Sequence, residues 1–254
     1  MNEVIAIPSH HRRELLQTHT LRLLQRHKVS MEKVHVFASP ESYYDDIAKV
    51  WGFHLHKGEK CQTGITCARN DIIQYFDEGQ RIVEIDDDVE DIVEFKGKHV
   101  EPVEDLNKLI ADSFEKIGGT GLWGVCANPN AFFASGKDQE GPRSIVNSFL
   151  GYVNDKRVVL TVPEKEDFQR VCIFYNYNLP VLKRGMYGVD TRYWYNKGGI
   201  QDRYNFHTRK VRQRESAEEL MRMYPGMFSM QLRRNGITDI RFLPGLLKDA
   251  AAVL

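Results

Sequence analysis

Short apolar runs and helical stretches alternate through the first 120 residues, a spacing that suits a layered α/β sheet and little else. Val4-Ile5-Ala6-Ile7, closed by Pro8, reads as a buried strand. A helical stretch follows from about Arg12 to Lys28, with Leu16, Thr20, Leu23 and Leu24 at helical spacing. Val34 to Phe37 predicts a second strand, closed by Ser39-Pro40; residues 41–51 predict a helix and His54-Leu55-His56 a short third strand. Gly64 opens the next helix, with Ile65, Ala68, Ile72 and Phe76 on one face and Gly79 beyond its end. Arg81 to Ile85 predicts a strand that runs directly into Asp86-Asp87-Asp88. Leu106, Leu109, Ile110, Phe114 and Ile117 mark a further helix, ended by Gly118-Gly119. The expectation is one α/β domain over residues 1–254 with a central, mostly parallel sheet.

The second half changes character. Leu122–Ala127, Ser144–Val153, Val158–Val162 and Val171–Tyr177 read as strands, and 128–143 as a long loop. Residues 216–224 read as a short helix with a capping box from Ser216 to Glu219, stopped by Pro225. No repeat, low-complexity tract or linker interrupts the chain. A composition of 42% hydrophobic and 28% charged residues excludes disorder and collagen. No apolar run reaches the roughly 18–20 residues of a membrane-spanning helix. Met1 to Pro8 lack a basic and an apolar signal region, which predicts no secretory leader. Cys61, Cys67, Cys126 and Cys172 form no C-x-x-C pair, so a reduced, cytoplasmic compartment is expected. The net charge of zero hides an asymmetry: residues 1–127 carry 15 Lys/Arg against 22 Asp/Glu, and residues 128–254 carry 20 against 13. The second half is therefore suited to face an anion such as nucleic acid, although a merely dipolar soluble protein has the same arithmetic.

Asp86-Asp87-Asp88 is the most informative feature. Ligands of open α/β sheets bind at the carboxyl ends of strands. Three adjacent carboxylates there repel one another unless a cation offsets them. Hard divalent ions such as Mg²⁺ or Mn²⁺ take oxygen ligands and bridge to substrate phosphates. If the strand alternation continues, Asp86 and Asp88 share a face and Asp87 points away. A solvated acidic turn, extended by Glu90 and Asp91, is the plain alternative. Two metal chemistries suit an Asp-x-Asp after a strand: a nucleotide-sugar glycosyltransferase and an aspartate-nucleophile phosphatase. The phosphatase pattern usually follows the first strand, which here ends in Pro8-Ser9 with no acid, so the position favours the transferase.

The run Ile5-Ala6-Ile7-Pro8-Ser9-His10-His11-Arg12 resembles the opening strand and nucleotide loop of the TET-associated glycosyltransferases, relatives of the base-J glucosyltransferases. So do Gly64-Ile65-Thr66-Cys67-Ala68-Arg69-Asn70, Tyr75-Phe76-Asp77-Glu78-Gly79 and Ile85-Asp86-Asp87-Asp88-Val89. The likeness covers roughly residues 4–92 well and the remainder loosely. His10 stands where the family usually has an aromatic residue, and Ala68 where it usually has Gln.

The resemblance implies a GT-A-type, Rossmann-like fold with a C-terminal acceptor-side extension. Residues 1–127 would form the nucleotide-sugar and metal half, and 128–254 the acceptor half. It implies transfer of a hexose, glucose from UDP-glucose, to the hydroxymethyl group of 5-hydroxymethylpyrimidine in DNA, and a phage source. By position, Pro8, Ser9, His10 and Arg12 would line the uracil and ribose site, and Arg69 and Asn70 would approach the nucleotide from their helix. Asp86 and Asp87 would sit near the ribose; Asp88, with Asp86, would hold Mn²⁺ or Mg²⁺.

Arg12 and Arg69 offer forked donors to phosphate or carboxylate, and Arg69 is equally suited to neutralising the aspartates. Transfer to a hydroxyl needs a proton acceptor. Asp167 is the expected base, with Glu166 as alternate, and a single base opposite the leaving group predicts inversion; Glu164 to Asp167 would also serve as an acidic helix start. Gly198-Gly199 would allow a backbone to approach the ligand closely, and His207 is a candidate last metal ligand. Lys183, Arg184, Arg203, Arg209, Lys210 and Arg212, with Arg214, Arg233 and Arg234 beyond, are candidates to track a DNA backbone. Tyr175, Tyr177, Tyr187, Tyr193, Trp194 and Tyr195 interleave with them and are suited to stacking on bases.

Overall fold

The computed structural model describes residues 3–58, 64–191, 206–233 and 235–244. In chain order the strands are β1 (Glu3–Ser9), β2 (Val34–Ala38), β3 (His54–Lys57), β4 (Arg81–Ile85), β5 (Val89–Lys96), β6 (His99–Pro102), β7 (Leu122–Cys126), β8 (Gln139–Glu140), β9 (Phe149–Val153), β10 (Val181–Thr191), β11 (Phe228–Leu232) and β12 (Thr238–Phe242). The α-helices are α1 (Arg13–Thr18), α2 (Thr20–Arg26), α3 (Asp45–Trp51), α4 (Ile65–Tyr75), α5 (Leu106–Lys116), α6 (Glu166–Asn176) and α7 (Phe206–Met223).

One sheet runs in the order β3-β2-β1-β4-β9-β7-β10-β5-β6, with β8 pairing on β10. Its β3-β2-β1-β4 half is parallel throughout. Only β9 and β5 run against the other seven strands of this path, so the expected mostly parallel sheet is present. Parallel strands with both faces covered read as continuous apolar runs; accordingly Ile5, Ala6 and Ile7 of β1, and Ile82, Val83 and Ile85 of β4, are all buried. The strand order reverses at β1, whose two neighbours are β2 and β4.

Several elements depart from the sequence reading. The helix expected over 12–28 breaks at His19, giving α1 and α2. At the break the buried Thr20 hydroxyl donates to the Asp86 carbonyl (2.7 Å) and accepts from the Val89 amide (3.1 Å), tying both ends of the aspartate turn to α2. The helix expected over 41–51 starts only at Asp45. Strands β5 and β6 escape the pattern because Glu90, Asp91 and Glu94 interrupt the apolar run.

The run Val171–Tyr177 is not a strand but lies in α6, where Val171, Cys172, Ile173 and Phe174 are all buried; periodicity cannot separate a short buried helix from a strand. The strand expected over Ser144–Val153 shortens to β9. Residues 158–162 are not a ladder strand either. Val158, Leu160 and Val162 are buried, and side chains of neighbouring helices satisfy their backbone. Asn70 bonds both the carbonyl and the amide of Leu160 (2.8 and 2.9 Å), and Gln169 Oε1 accepts from the Thr161 and Val162 amides (2.8 and 3.1 Å). Helix α7 is twice the expected length. Ser216 lies inside it rather than capping it, and its hydroxyl accepts from the Glu164 amide (3.3 Å). Arg and Lys fill the first half of α7 and hide its periodicity.

A polar group stands in the core. Glu84 of β4 is fully buried. It accepts from Arg69 Nη1 (2.6 Å) and from Arg170 Nη1 and Nη2 (2.8 and 3.3 Å), and from the Tyr152 hydroxyl (2.7 Å). Burial pushes its carboxyl up, but Arg170 and Arg69 overcome this and hold it below the usual carboxylate range. Removing one member of a buried ion network leaves the others charged and unpaired. Glu84→Ala is therefore expected to lower unfolding free energy by about 3–5 kcal/mol, read by denaturant melts; a loss near zero would show that the network is not structural.

Candidate functional site

A cavity of about 840 Å³ opens at the carboxyl ends of β1, β2, β3 and β4. Its walls include Pro8, Ser9, His10 and Arg12 after β1, Phe37 to Ser39 after β2, Leu55 to Gly58 after β3, and Asp86 to Asp88 after β4. Across it stand Val146 to Ser148, the segment Pro163 to Phe168 at the start of α6, and Arg209, Arg212 and Gln213 of α7. This is the crevice beside the point where the strand order reverses, the general ligand position of open α/β sheets. Ser9 Oγ donates to Asp87 Oδ2 across that crevice (2.6 Å) and also meets the Tyr44 hydroxyl (2.8 Å).

The three aspartates form a turn between β4 and β5, so strand alternation does not apply to them and all three line the cavity. Asp86 accepts from Arg69 Nη2 (2.8 Å). Asp87 accepts from Ser9 and from Arg12 Nη1 (3.2 Å). Asp88 accepts from Arg12 Nη1 (2.9 Å) and from the Thr191 hydroxyl (3.0 Å). Burial, opposed by Arg12 and reinforced by Asp88, raises the Asp87 carboxyl to about 7. A hard divalent ion binds through one or two carboxylates and completes its shell with water and phosphate oxygens. Asp86 and Asp88 both present hard carboxylate oxygens at the wall of this cavity.

Arg69 is 2% exposed and reaches Glu84, Asp86 and Glu166 (Nε to Oε1, 3.3 Å). Burial works against its charge, and Asp86, Glu84 and Glu166 together keep it protonated. Glu166 Oε1 also accepts from Asn147 Nδ2 (3.2 Å). Asp167 follows on the first turn of α6, where burial, then the adjacent Glu166, raises its carboxyl to about 7. The third wall is aromatic: His56 stacks on Phe37 (4.7 Å between centroids) and lies against Tyr75 (4.3 Å).

Of the sequence-predicted site residues, Pro8, Ser9, His10, Arg12, Arg69, Asp86, Asp87, Asp88, Glu166 and Asp167 all line this one cavity. Asn70 does not; its amide is spent on Leu160. His207 is exposed on the first turn of α7 and is not among the lining residues. Arg209, Arg212 and Gln213 share a helix face by their spacing, while His207 lies two positions before Arg209 and faces away. Arg209 and Arg212, expected on DNA, instead close the cavity, with Arg212 Nε 3.7 Å from Glu164 Oε1. Lys183 and Arg184 lie in β10. Arg184 is buried and donates to Ser113 Oγ and Asp138 Oδ1, so its side chain is not placed to track a nucleic-acid backbone; Lys183 is half-buried. Lys210 sits over the Phe206 ring (4.3 Å). Gly198, Gly199 and Arg203 lie outside the described residues. Glu84, Arg170, Thr20, Thr191 and Asn147 were not singled out from sequence; a lone charged residue inside an apolar strand, as at Glu84, is the one signal that pointed to them.

A carboxyl raised in the folded state binds its proton more tightly there than in the unfolded chain. The protein then loses stability as pH rises from about 4, the unfolded Asp value, through about 7. Asp167→Asn is expected to flatten this decline and to raise stability at pH 8 relative to the parent; unfolding curves at pH 5 and 8 that shift in parallel would contradict the assignment.

Known structures share this fold. Glucosyl-3-phosphoglycerate synthase from Mycobacterium tuberculosis, solved with UDP, is similar at a TM-score of 0.56 and 9% sequence identity, over 98% of this chain and 91% of that one. The same synthase solved with Mn²⁺, UDP-glucose and phosphoglyceric acid gives 0.55 and 9%, over 96% and 86%. S. aureus TarS, residues 1–349, gives 0.50 and 10%, over 74% of this chain and 60% of that one, so the chain spans less than two thirds of that fragment. No protein-family model and no curated protein matches the sequence. At these identities the likeness shows the fold, which is that of the GT-A glycosyltransferases.

Proposed function

We propose that the chain is a glycosyltransferase that moves a hexose from a UDP-sugar, with Mg²⁺ or Mn²⁺, to an acceptor hydroxyl. The observation that carries this reading is the single cavity at the strand-order reversal. It has three carboxylates on one wall, a carboxyl raised to about 7 on the other, and arginines between them. That the similar synthase was solved with UDP-glucose and Mn²⁺ supports the same donor and ion here.

In this reading Phe37, His56 and Tyr75 provide an aromatic wall for the base, and Ser9 and Asp87 the polar edge beside it. Asp88 and Asp86 hold the ion, which when bound stabilises negative charge on the departing diphosphate. Arg209 and Arg212 face the diphosphate from α7 with fixed positive charge. Asp167 accepts the proton of the acceptor hydroxyl as its oxygen attacks the anomeric carbon. The new carbon–oxygen bond forms, the bond to the diphosphate breaks, and UDP leaves with that electron pair. A base near neutral pKa is well matched to this task. Attack from the side opposite the diphosphate inverts the anomeric centre.

The acceptor we propose is the hydroxymethyl group of 5-hydroxymethylcytosine in DNA, and the sugar glucose. What supports both is the resemblance carried by residues 4–92. Arg209 and Arg212 of α7 line the cavity, so contact with DNA falls to other residues. Duplex DNA containing hydroxymethylcytosine, incubated with Mn²⁺ and a panel of UDP-sugars, is expected to gain a hexose mass on the modified base alone, read by nucleoside mass spectrometry. Slow UDP release without any change of base mass would keep the donor reading and discard DNA as acceptor. Asp167→Asn is expected to cut turnover by about 10²–10⁴-fold with UDP-sugar affinity retained. Parent-level turnover in that variant would remove Asp167 from the mechanism.

A further inference from the structure

We propose that His10, His11 and Glu41 form a second cation site, one for a zinc-class transition metal, at the rim of the cavity. It differs in chemistry from the aspartate turn and does not depend on the donor reading. Among the described residues these three are the one group of at least three His, Cys, Asp or Glu side chains whose ligand atoms all lie within 4.8 Å of one another. Glu41 Oε1 lies 3.6 Å from His10 Nδ1 and 3.7 Å from His11 Nε2. Zinc bonds of about 2.0–2.1 Å in a tetrahedron set ligand-to-ligand edges of about 3.3–3.4 Å. The two edges that meet at Glu41 are therefore within a few tenths of an ångström of those of such a shell, the edge between the two histidines is no longer than 4.8 Å, and water takes the fourth corner.

The donor types agree with the distances. Two imidazoles and one carboxylate are the ligands of open zinc sites, and imidazole favours zinc, nickel and copper over Mg²⁺. The two rings lie side by side, edge to face, with centroids 4.2 Å apart and planes at 87°. His11 holds a φ of 55°, a left-handed backbone uncommon outside glycine, and this places its ring beside that of His10. Two serines brace the loops. Ser42 Oγ accepts from the His11 amide (3.4 Å) and lies 2.6 Å from Ser39 Oγ, which in turn sits 2.7 Å from His10 Nδ1. The ion takes the place of the Ser39 hydroxyl at that nitrogen. Bound there, it ties the loop after β1 to the loop after β2.

The test uses the full chain, freed of metal by chelation and held in excess Mg²⁺ to fill the aspartate turn. Zn²⁺ is titrated by calorimetry and Co²⁺ by visible absorption. One equivalent is expected to bind, with the intense visible bands of tetrahedral Co²⁺. His11→Ala and Glu41→Gln should each weaken binding at least about tenfold, the loss that even outer-shell changes bring. Both side chains are largely exposed, so circular dichroism should show an unchanged fold. His35, His54 and His56 stack on neighbouring strands and are the competing imidazole cluster. Undiminished Zn²⁺ affinity in His11→Ala and Glu41→Gln, absence of Zn²⁺ binding in the parent, or loss of binding in His54→Ala alone would each overturn the proposal.

Discussion

Arg69 donates to Glu84 in the core, to Asp86 at the end of β4 and to Glu166 at the start of α6, all from one buried guanidinium. Without it, three carboxylates, two from β4 and its end and one from α6, would face one another in a poorly solvated space. Taking such charges out of water costs several kcal/mol per ion, so the arrangement holds only when every acceptor position is filled. Arg170 and Tyr152 fill those of Glu84 that Arg69 leaves. The consequence is geometric. Helices α4 and α6 are fixed relative to β4, and the carboxylates of Asp86 and Glu166 are bridged by one guanidinium at the cavity wall instead of relaxing toward solvent.

The same network explains why the cavity lies where it does. Reversal of strand order at β1 opens a crevice between the ends of β1 and β4, and crevices of this kind are where open α/β sheets take ligands. Arg12 and Ser9 cross it to Asp87 and Asp88, and Thr20 fixes the turn from behind. Fixed positive charge from α7 meets a concentration of carboxylates. That balance suits a ligand with a phosphate end and a hydroxyl-rich end better than a purely anionic or purely neutral one.

Much of the first half was legible in the sequence because β1, β2 and β4 are short, mainly apolar runs punctuated by Pro, Gly or acid. The endings of those runs, Pro8-Ser9 and Asp86-Asp87-Asp88, are the site itself. The second half was less legible for identifiable reasons. Residues 171–174 are apolar on every side of α6, so their pattern does not distinguish helix from strand. Residues 158–162 have a strand's alternation but take hydrogen bonds from the side chains of Asn70, ninety residues away, and Gln169 on the next helix. Asn70 read as a ligand contact from the resemblance, whereas its amide is spent on Leu160. The basic residues before Ser216 read as a solvated or DNA-facing stretch, whereas Arg209 and Arg212 turn inward; their i, i+3 spacing held that information, but no apolar partner revealed it. The resemblance set His10 beside the nucleotide, and only the placement of Glu41 beside His10 and His11 shows a shared geometry.

The most direct measurement is a crystal structure of the chain grown with UDP-glucose and Mn²⁺. The base is expected against Phe37, His56 and Tyr75, the diphosphate between Asp88 and the α7 arginines, and the anomeric carbon facing Asp167. A nucleotide ordered elsewhere on the surface, or a cavity that stays empty at saturating UDP-glucose, would contradict the assignment of this cavity as the donor site.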